Sequence, residues 1–289
     1  MSGNKCVLKF SSFSSWRAHL QRVEAASGAV LFVPTMGALH DGHGDLIRAA
    51  KKRAEGLDQS AHVVVSIFIN PTQFDEKSDF ATYPATPEDD LMLAEKAGAD
   101  AVVFPTVSEM YPQGVPDVVD SVDYGALTSS MEGAKRMGHF DGVVAVVRNL
   151  LHQVQPQWAF FGEKDWQQLA VIKRLVHLEF PGVEVVPVPT KREGDGLAMS
   201  SRNQRMSEEH RKGAAALFEA LMGVADSPDP RAECVHAVSK LEALGFEVEY
   251  LNVAQGDSLE PEWLTGKMRV FVAARWGGVR LIDNVNCRS

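Results

Sequence analysis

Short runs of consecutive apolar residues recur along the first two thirds of the chain, and segments with helical spacing separate them. Residues 29–33 (AVLFV), 61–69 (AHVVVSIFI), 101–104 (AVVF), 158–161 (WAFF) and 183–188 (VEVVPV) are rich in β-branched and aromatic side chains. The first three stop at Pro34, Asn70-Pro71 and Pro105. Apolar at nearly every position, they predict strands buried on both faces. Segments 45–55, 87–97, 142–154 and 165–178 have helical spacing. In the first, Leu46, Ile47, Ala50 and Ala54 share a face; the second has Thr86 at the capping position and Pro87 opening the helix. Strands alternating with helices predict an α/β domain, a doubly wound parallel sheet that binds ligands at the carboxyl ends of its strands.

The pattern changes near residue 190. Segments 207–225 and 231–244 read as helices, divided by DSPDP at 226–230. Segments 246–253, 268–274 and 279–282 then read as sequential strands, which favour antiparallel pairing. The expected organisation is a domain over 1–189 and a smaller α+β domain over 190–289.

Composition narrows the function classes. A net charge of −9 over 289 residues argues against a binder of nucleic-acid backbone, which needs clustered Lys and Arg. Cys6, Cys234 and Cys287 lie far apart with no CxxC, so they read as thiols of a reducing compartment. No apolar run approaches the roughly 18 residues of a membrane span, and the expected location is cytoplasmic.

The first chemical signal is Met36, Gly37, Ala38, Leu39, His40, Asp41, Gly42 and His43, between the 29–33 strand and the helix that follows. A strand, a glycine-bearing turn and a helix N-terminus make an anion site from backbone N–H groups and the helix dipole. Two histidines three apart can donate to a phosphate chain and offset charge that develops at an attacked phosphorus. They could instead be structural or a metal pair, although no third ligand lies near in sequence.

This turn resembles the HxGH nucleotidyltransferase superfamily, and VPTMGALHDGHGDLI is similar to the pantothenate synthetase family in particular. SIFINPTQF (66–74), YPATPEDDL (83–91), VVFPTVSEMYPQG (102–114), GHFDGVVAVV (138–147), FFGEKDWQQLAVIKRLV (161–176) and DGLAMSSRNQRMS (195–207) resemble the same family in the same order. The resemblance implies a Rossmann-like domain, a C-terminal domain that acts as a lid, and a homodimer. It also implies a ligase joining pantoate to β-alanine with ATP and Mg2+, through a pantoyl adenylate, releasing AMP and pyrophosphate.

The resemblance assigns further residues. Gly162, Glu163, Lys164 and Asp165 would contact ATP, with Lys164 a point charge on phosphate. Lys191, Met199, Ser200, Ser201 and Arg202 would do so from the closing side, the guanidinium adding a fork of donors. Gln73 and Gln168 would hold pantoate, since an amide can both donate to and accept from a hydroxy acid. Asp89 or Asp90 would hold magnesium; acidic residues at a helix start are also ordinary. His43 is the expected charge stabiliser, with His40 and Lys164 assisting. Arg136 and His139 form a further cationic pair of undefined role, and Met137 stands where the family pattern has proline. No nucleophile elbow and no Cys–His pair is present, which suits direct attack of a carboxylate on the α-phosphorus. The alternatives are a nucleotidyltransferase acting on a phosphorylated substrate and an inactive nucleotide-binding regulator. Uncharged Gln73 and Gln168 speak against the first, and the joint presence of the His pair, Lys164 and Ser200-Ser201-Arg202 against the second.

Overall fold

The computed structural model describes residues 6–22, 28–74, 80–116, 119–260 and 267–288. The chain forms two compact units, one of residues 1–122, 136–162 and 171–188, the other of 123–135, 163–170 and 189–289. The sequence reading drew a single cut at 189/190. Two earlier segments instead fold with the C-terminal part, because their hydrogen-bond partners come from it.

The first unit holds a six-stranded parallel sheet of β1 (Leu8–Phe10), β2 (Ala29–Thr35), β3 (Ala61–Ile67), β4 (Ala101–Val103), β5 (Trp158–Gly162) and β6 (Glu184–Val188). Its order is β1-β4-β3-β2-β5-β6. The unit's longer described helices are α1 (Phe13–Arg22), α2 (Asp41–Glu55), α3 (Pro87–Ala97), α4 (His139–Val154) and α5 (Trp166–Glu179), of which α5 begins in the second unit's residues. Leu31, Val33, Val63, Val65, Ile47 and Ala50 are fully buried between sheet and helix, as continuous apolar runs require. Because β2 lies between β3 and β5, the strand order reverses there, and ligand crevices of open α/β sheets form at such a switch.

Pro34 does not end β2. The strand continues to Thr35 in parallel register with Ile67, and Thr35 Oγ1 donates to the Ser66 carbonyl at 2.8 Å. β1 and α1 have no counterpart in the sequence reading; a three-residue strand is too short to show a period. The second unit carries α6 (Ala216–Ala225), α7 (Pro230–Ala243) and an antiparallel sheet of β7 (Glu247–Gln255), β8 (Met268–Trp276) and β9 (Val279–Asn286). The expected helix over 207–225 is broken into Glu208–Gly213 and α6. Leu217, Leu221, Val224, Val270 and Val272 form this unit's core. No described helix is long and apolar enough to cross a membrane.

Candidate active site

In the first unit, two chain segments leave the carboxyl ends of adjacent strands β2 and β3. The turn after β2 runs through two left-handed residues, Gly37 (φ 83°) and Ala38 (φ 48°). Glycine suits the positive φ at Gly37, and a Cβ there would crowd Asp90 Oδ2 and Ile67 Cγ2, each 3.0 Å away. An alanine at positive φ costs about 1 kcal/mol and must be held there. Asp90 does this from α3. Its Oδ2 accepts from Ala38 N–H at 3.1 Å and its Oδ1 from Leu39 N–H at 2.6 Å, with Thr86 Oγ1 at 3.1 Å. Asp90 is buried, and desolvation raises its pKa, while the bonds from Leu39, Thr86 and Ala38 oppose the rise.

The helix begins at Asp41, four residues earlier than expected, with His40 as its N-cap. His40 Nδ1 accepts from Gly42 N–H at 3.1 Å, and His43 Nδ1 accepts from His40 N–H at 3.2 Å. Each ring caps backbone, so Nδ1 is unprotonated in both and the neutral tautomers carry their proton on Nε2. The rings lie 4.2 Å apart at 45°. The turn thereby sets two imidazole N–H donors at the positive end of α2.

After β3, Asn70 caps the helical turn Pro71–Gln73 and is almost fully buried. Asn70 Oδ1 accepts from Thr72 and from the Tyr111 hydroxyl at 2.6 Å, while Nδ2 donates to Gln73 Oε1 at 3.2 Å and to the Gly142 carbonyl at 3.2 Å. Gln73 Nε2 in turn meets Met36 Sδ at 2.7 Å. Gln73 is therefore joined directly to the turn that carries the histidines.

The second unit gathers the other expected residues. Glu163–Asp165 form one helical turn, and Asn284 of β9 donates to the carbonyls of Glu163 (3.0 Å) and Lys164 (2.8 Å). Lys164 pairs with Asp165 at 3.5 Å. Arg269, 4% exposed, stacks 3.4 Å over the Trp166 ring and bonds Asn284; burial pulls its pKa down to about 10 against the pull of Glu163 and Asp283. Gln168, half-buried, opens α5, whereas its neighbour Gln167 is buried and donates to the carbonyls of Leu127 and Ser130. Lys191 and Met199 are backbone partners across a bridged loop (Met199 N–H to Lys191 O, 2.9 Å), and Arg192 anchors that loop on buried Asp283 at 2.6 Å. Ser200 caps the turn Ser201–Arg205 through a bond from Arg202 N–H.

The family model for pantoate–β-alanine ligase matches residues 8–286. The chain belongs to the pantoate–β-alanine ligase family. Pantothenate synthetase of Bdellovibrio bacteriovorus is 44% identical over 275 residues, which are 95% of this chain and 96% of that protein. The crystal structure of pantothenate synthetase from Thermus thermophilus superposes with a TM-score of 0.85 at 41% identity, over 98% of this chain and 100% of that one. The pantoate–β-alanine ligase of Francisella tularensis, crystallised with β-γ ATP and β-alanine, does so with a TM-score of 0.81 at 29% identity, over 98% of each chain. As a member of the pantoate–β-alanine ligase family the chain is an enzyme, a carbon–nitrogen ligase that joins pantoate to β-alanine.

Of the two expected magnesium ligands, Asp90 is buried with both oxygens hydrogen-bonded to backbone and Thr86, and Asp89 is exposed. Among the described residues no group of three His, Cys, Asp or Glu could hold a metal. Thr86 stands at the N-cap of α3 but makes no capping bond, because its hydroxyl serves Asp90. The residues missing from the sequence reading are Asn70, Tyr111 and Asn284. Asn70 also caps its own turn, but the bonds that join it to Tyr111 and Gly142, and Asn284 to Glu163 and Lys164, link segments distant in sequence.

Proposed function

We propose that this ligase uses ATP to activate pantoate as its acyl adenylate and then transfers the acyl group to β-alanine. A pantoate carboxylate oxygen attacks the α-phosphorus, and the bond to pyrophosphate breaks. The unprotonated β-alanine amine attacks the mixed anhydride; AMP leaves and the new amide nitrogen sheds a proton.

The observation that carries this is the reciprocal histidine cap, which holds both imidazoles at the N-terminus of α2 with their protons on Nε2. Charge accumulates on the phosphate oxygens during the first step, and fixed donors stabilise it without reorganising. In this assignment His43 is the principal stabiliser and His40 its partner, with backbone of Met36 to Gly42 along the phosphates. Gly162 to Asp165, Lys191, Met199, Ser200, Ser201 and Arg202 bind ATP, Lys164 and Arg202 supplying fixed charge. Gln73 and Gln168 bind pantoate. Magnesium enters with the nucleotide, keeping mainly phosphate oxygens and water, with Asp89 the remaining carboxylate nearby in sequence. A homodimer and a cytoplasmic location complete the picture, both supported by the family resemblance.

Label exchange between pyrophosphate and ATP tests the order of chemistry. With pantoate present and β-alanine absent, exchange is expected. Exchange that strictly required β-alanine would instead mean a concerted reaction.

A further inference from the structure

Arg136 and His139, whose role the sequence left undefined, converge on a single atom in the first unit. His139 Nδ1 lies 2.8 Å from the Gln73 carbonyl oxygen, and Arg136 Nη1 lies 3.1 Å from His139 Nε2. A carbonyl can only accept, so Nδ1 carries the proton; a guanidinium can only donate, so Nε2 accepts. The imidazole is buried, and its two neighbours admit one neutral tautomer. Arg136 Nη2 also reaches the same carbonyl at 3.5 Å. One turn further along α4, Gly142 meets the backbone of the same turn. A Cβ there would stand 2.2 Å from the Thr72 carbonyl oxygen and 2.8 Å from Gln73 Cα. Those neighbours are backbone and cannot swing aside. Met137, in place of the expected proline, is 82% exposed and leaves these contacts intact.

We propose that Arg136, His139 and Gly142 are positioning residues that set where Gln73 presents its amide, and so tune the enzyme for its hydroxy-acid substrate. The proposal rests on Gln73 binding pantoate. The carbonyl of Gln73 is held from α4, while its side chain is held by Asn70 and Met36. A sub-ångström shift of the turn then displaces the amide, which matters because reacting groups tolerate little misplacement.

The test is steady-state kinetics of the full chain carrying H139A, H139N, R136M, G142A or Q73A, with thermal melts on each. His139→Ala should raise the KM for pantoate about fivefold to tenfold, the scale of one lost hydrogen bond, while the KM for ATP changes less than about twofold. His139→Asn, whose amide can replace the Nδ1 donor, should restore most of the loss. In the H139A background Arg136→Met should add less than it costs alone, since its shorter contact is to the imidazole and its direct one to the carbonyl is long, whereas an independent structural role would add its full cost. Gly142→Ala should raise the pantoate KM at least as far as H139A. If H139A does not fold, R136M, on a half-buried side chain, carries the test. An unchanged Q73A would remove the pantoate role of Gln73 and this proposal with it. A pantoate defect in Q73A without one in H139A and R136M, or with ATP affected equally in those variants, would overturn the positioning role alone.

Discussion

At the level of single residues, Nδ1 of both His40 and His43 caps the start of α2, which leaves the proton of each neutral ring on Nε2. Substitutions can separate cap from donor. His43→Asn places an acceptor near the Nδ1 position, so the cap survives and the Nε2 donor is lost. His43→Ala loses both. Adenylation should slow by roughly 10²–10³-fold in either variant, the scale of a lost oxyanion-type donor. Only H43A should also lose the cap's share of stability, about 1 kcal/mol. Pyrophosphate exchange and thermal melts read the two effects separately, and near-normal exchange in H43N would end the assignment of His43.

At the level of elements, Asp90 ties the α3 N-terminus to the turn after β2. Because burial raises its pKa above the ordinary 3.8, the folded state holds this proton more tightly than the unfolded state. Stability from this group is therefore fully present below 3.8 and is lost as pH rises through the folded pKa. Asp90→Asn does not titrate and keeps one acceptor oxygen for two N–H groups, so it should be less stable by about 1–3 kcal/mol. The deficit should narrow as pH rises above 3.8 through the raised pKa, since the Asp90 contribution is lost only in the parent. Denaturant titrations across that range check the slope; a constant deficit would mean that Asp90 does not titrate with a raised pKa.

At the level of the whole molecule, residues 123–135 and 163–170 belong with the C-terminal unit. Arg280 of β9 clamps buried Glu132 with bonds of 2.8 and 2.7 Å, and Tyr250 donates to the same carboxylate at 2.6 Å. Trp166 bonds the Gly256 carbonyl and packs under Arg269. A cut near residue 189, which the sequence pattern suggested, strands these groups. A chain ending at Val188 should strip Glu132 and Trp166 of the partners that bury them and expose Leu127 and Trp166 to water. Dye binding to exposed apolar surface and a broad, weak melt are expected. A single sharp transition at the parent temperature would contradict this division of the chain.

The amino-acid order alone determined the parallel α/β unit, the antiparallel strands after it, and the HDGH, GEKD and Ser-Ser-Arg segments. Each of these is encoded locally, by apolar runs of strand length, helical spacing, or residues adjacent in the chain. The tertiary structure decided what no local pattern carries. It bound Asp90 to the turn after β2, placed Arg136 and His139 on the Gln73 carbonyl, and set Asn284 beneath the Lys164 turn. These contacts span tens of residues or more, and a buried polar group's partner depends on which backbone groups folding leaves unsatisfied beside it. For the same reason the unit boundary escaped the sequence: the partners of Glu132 and Trp166 lie over 80 residues downstream.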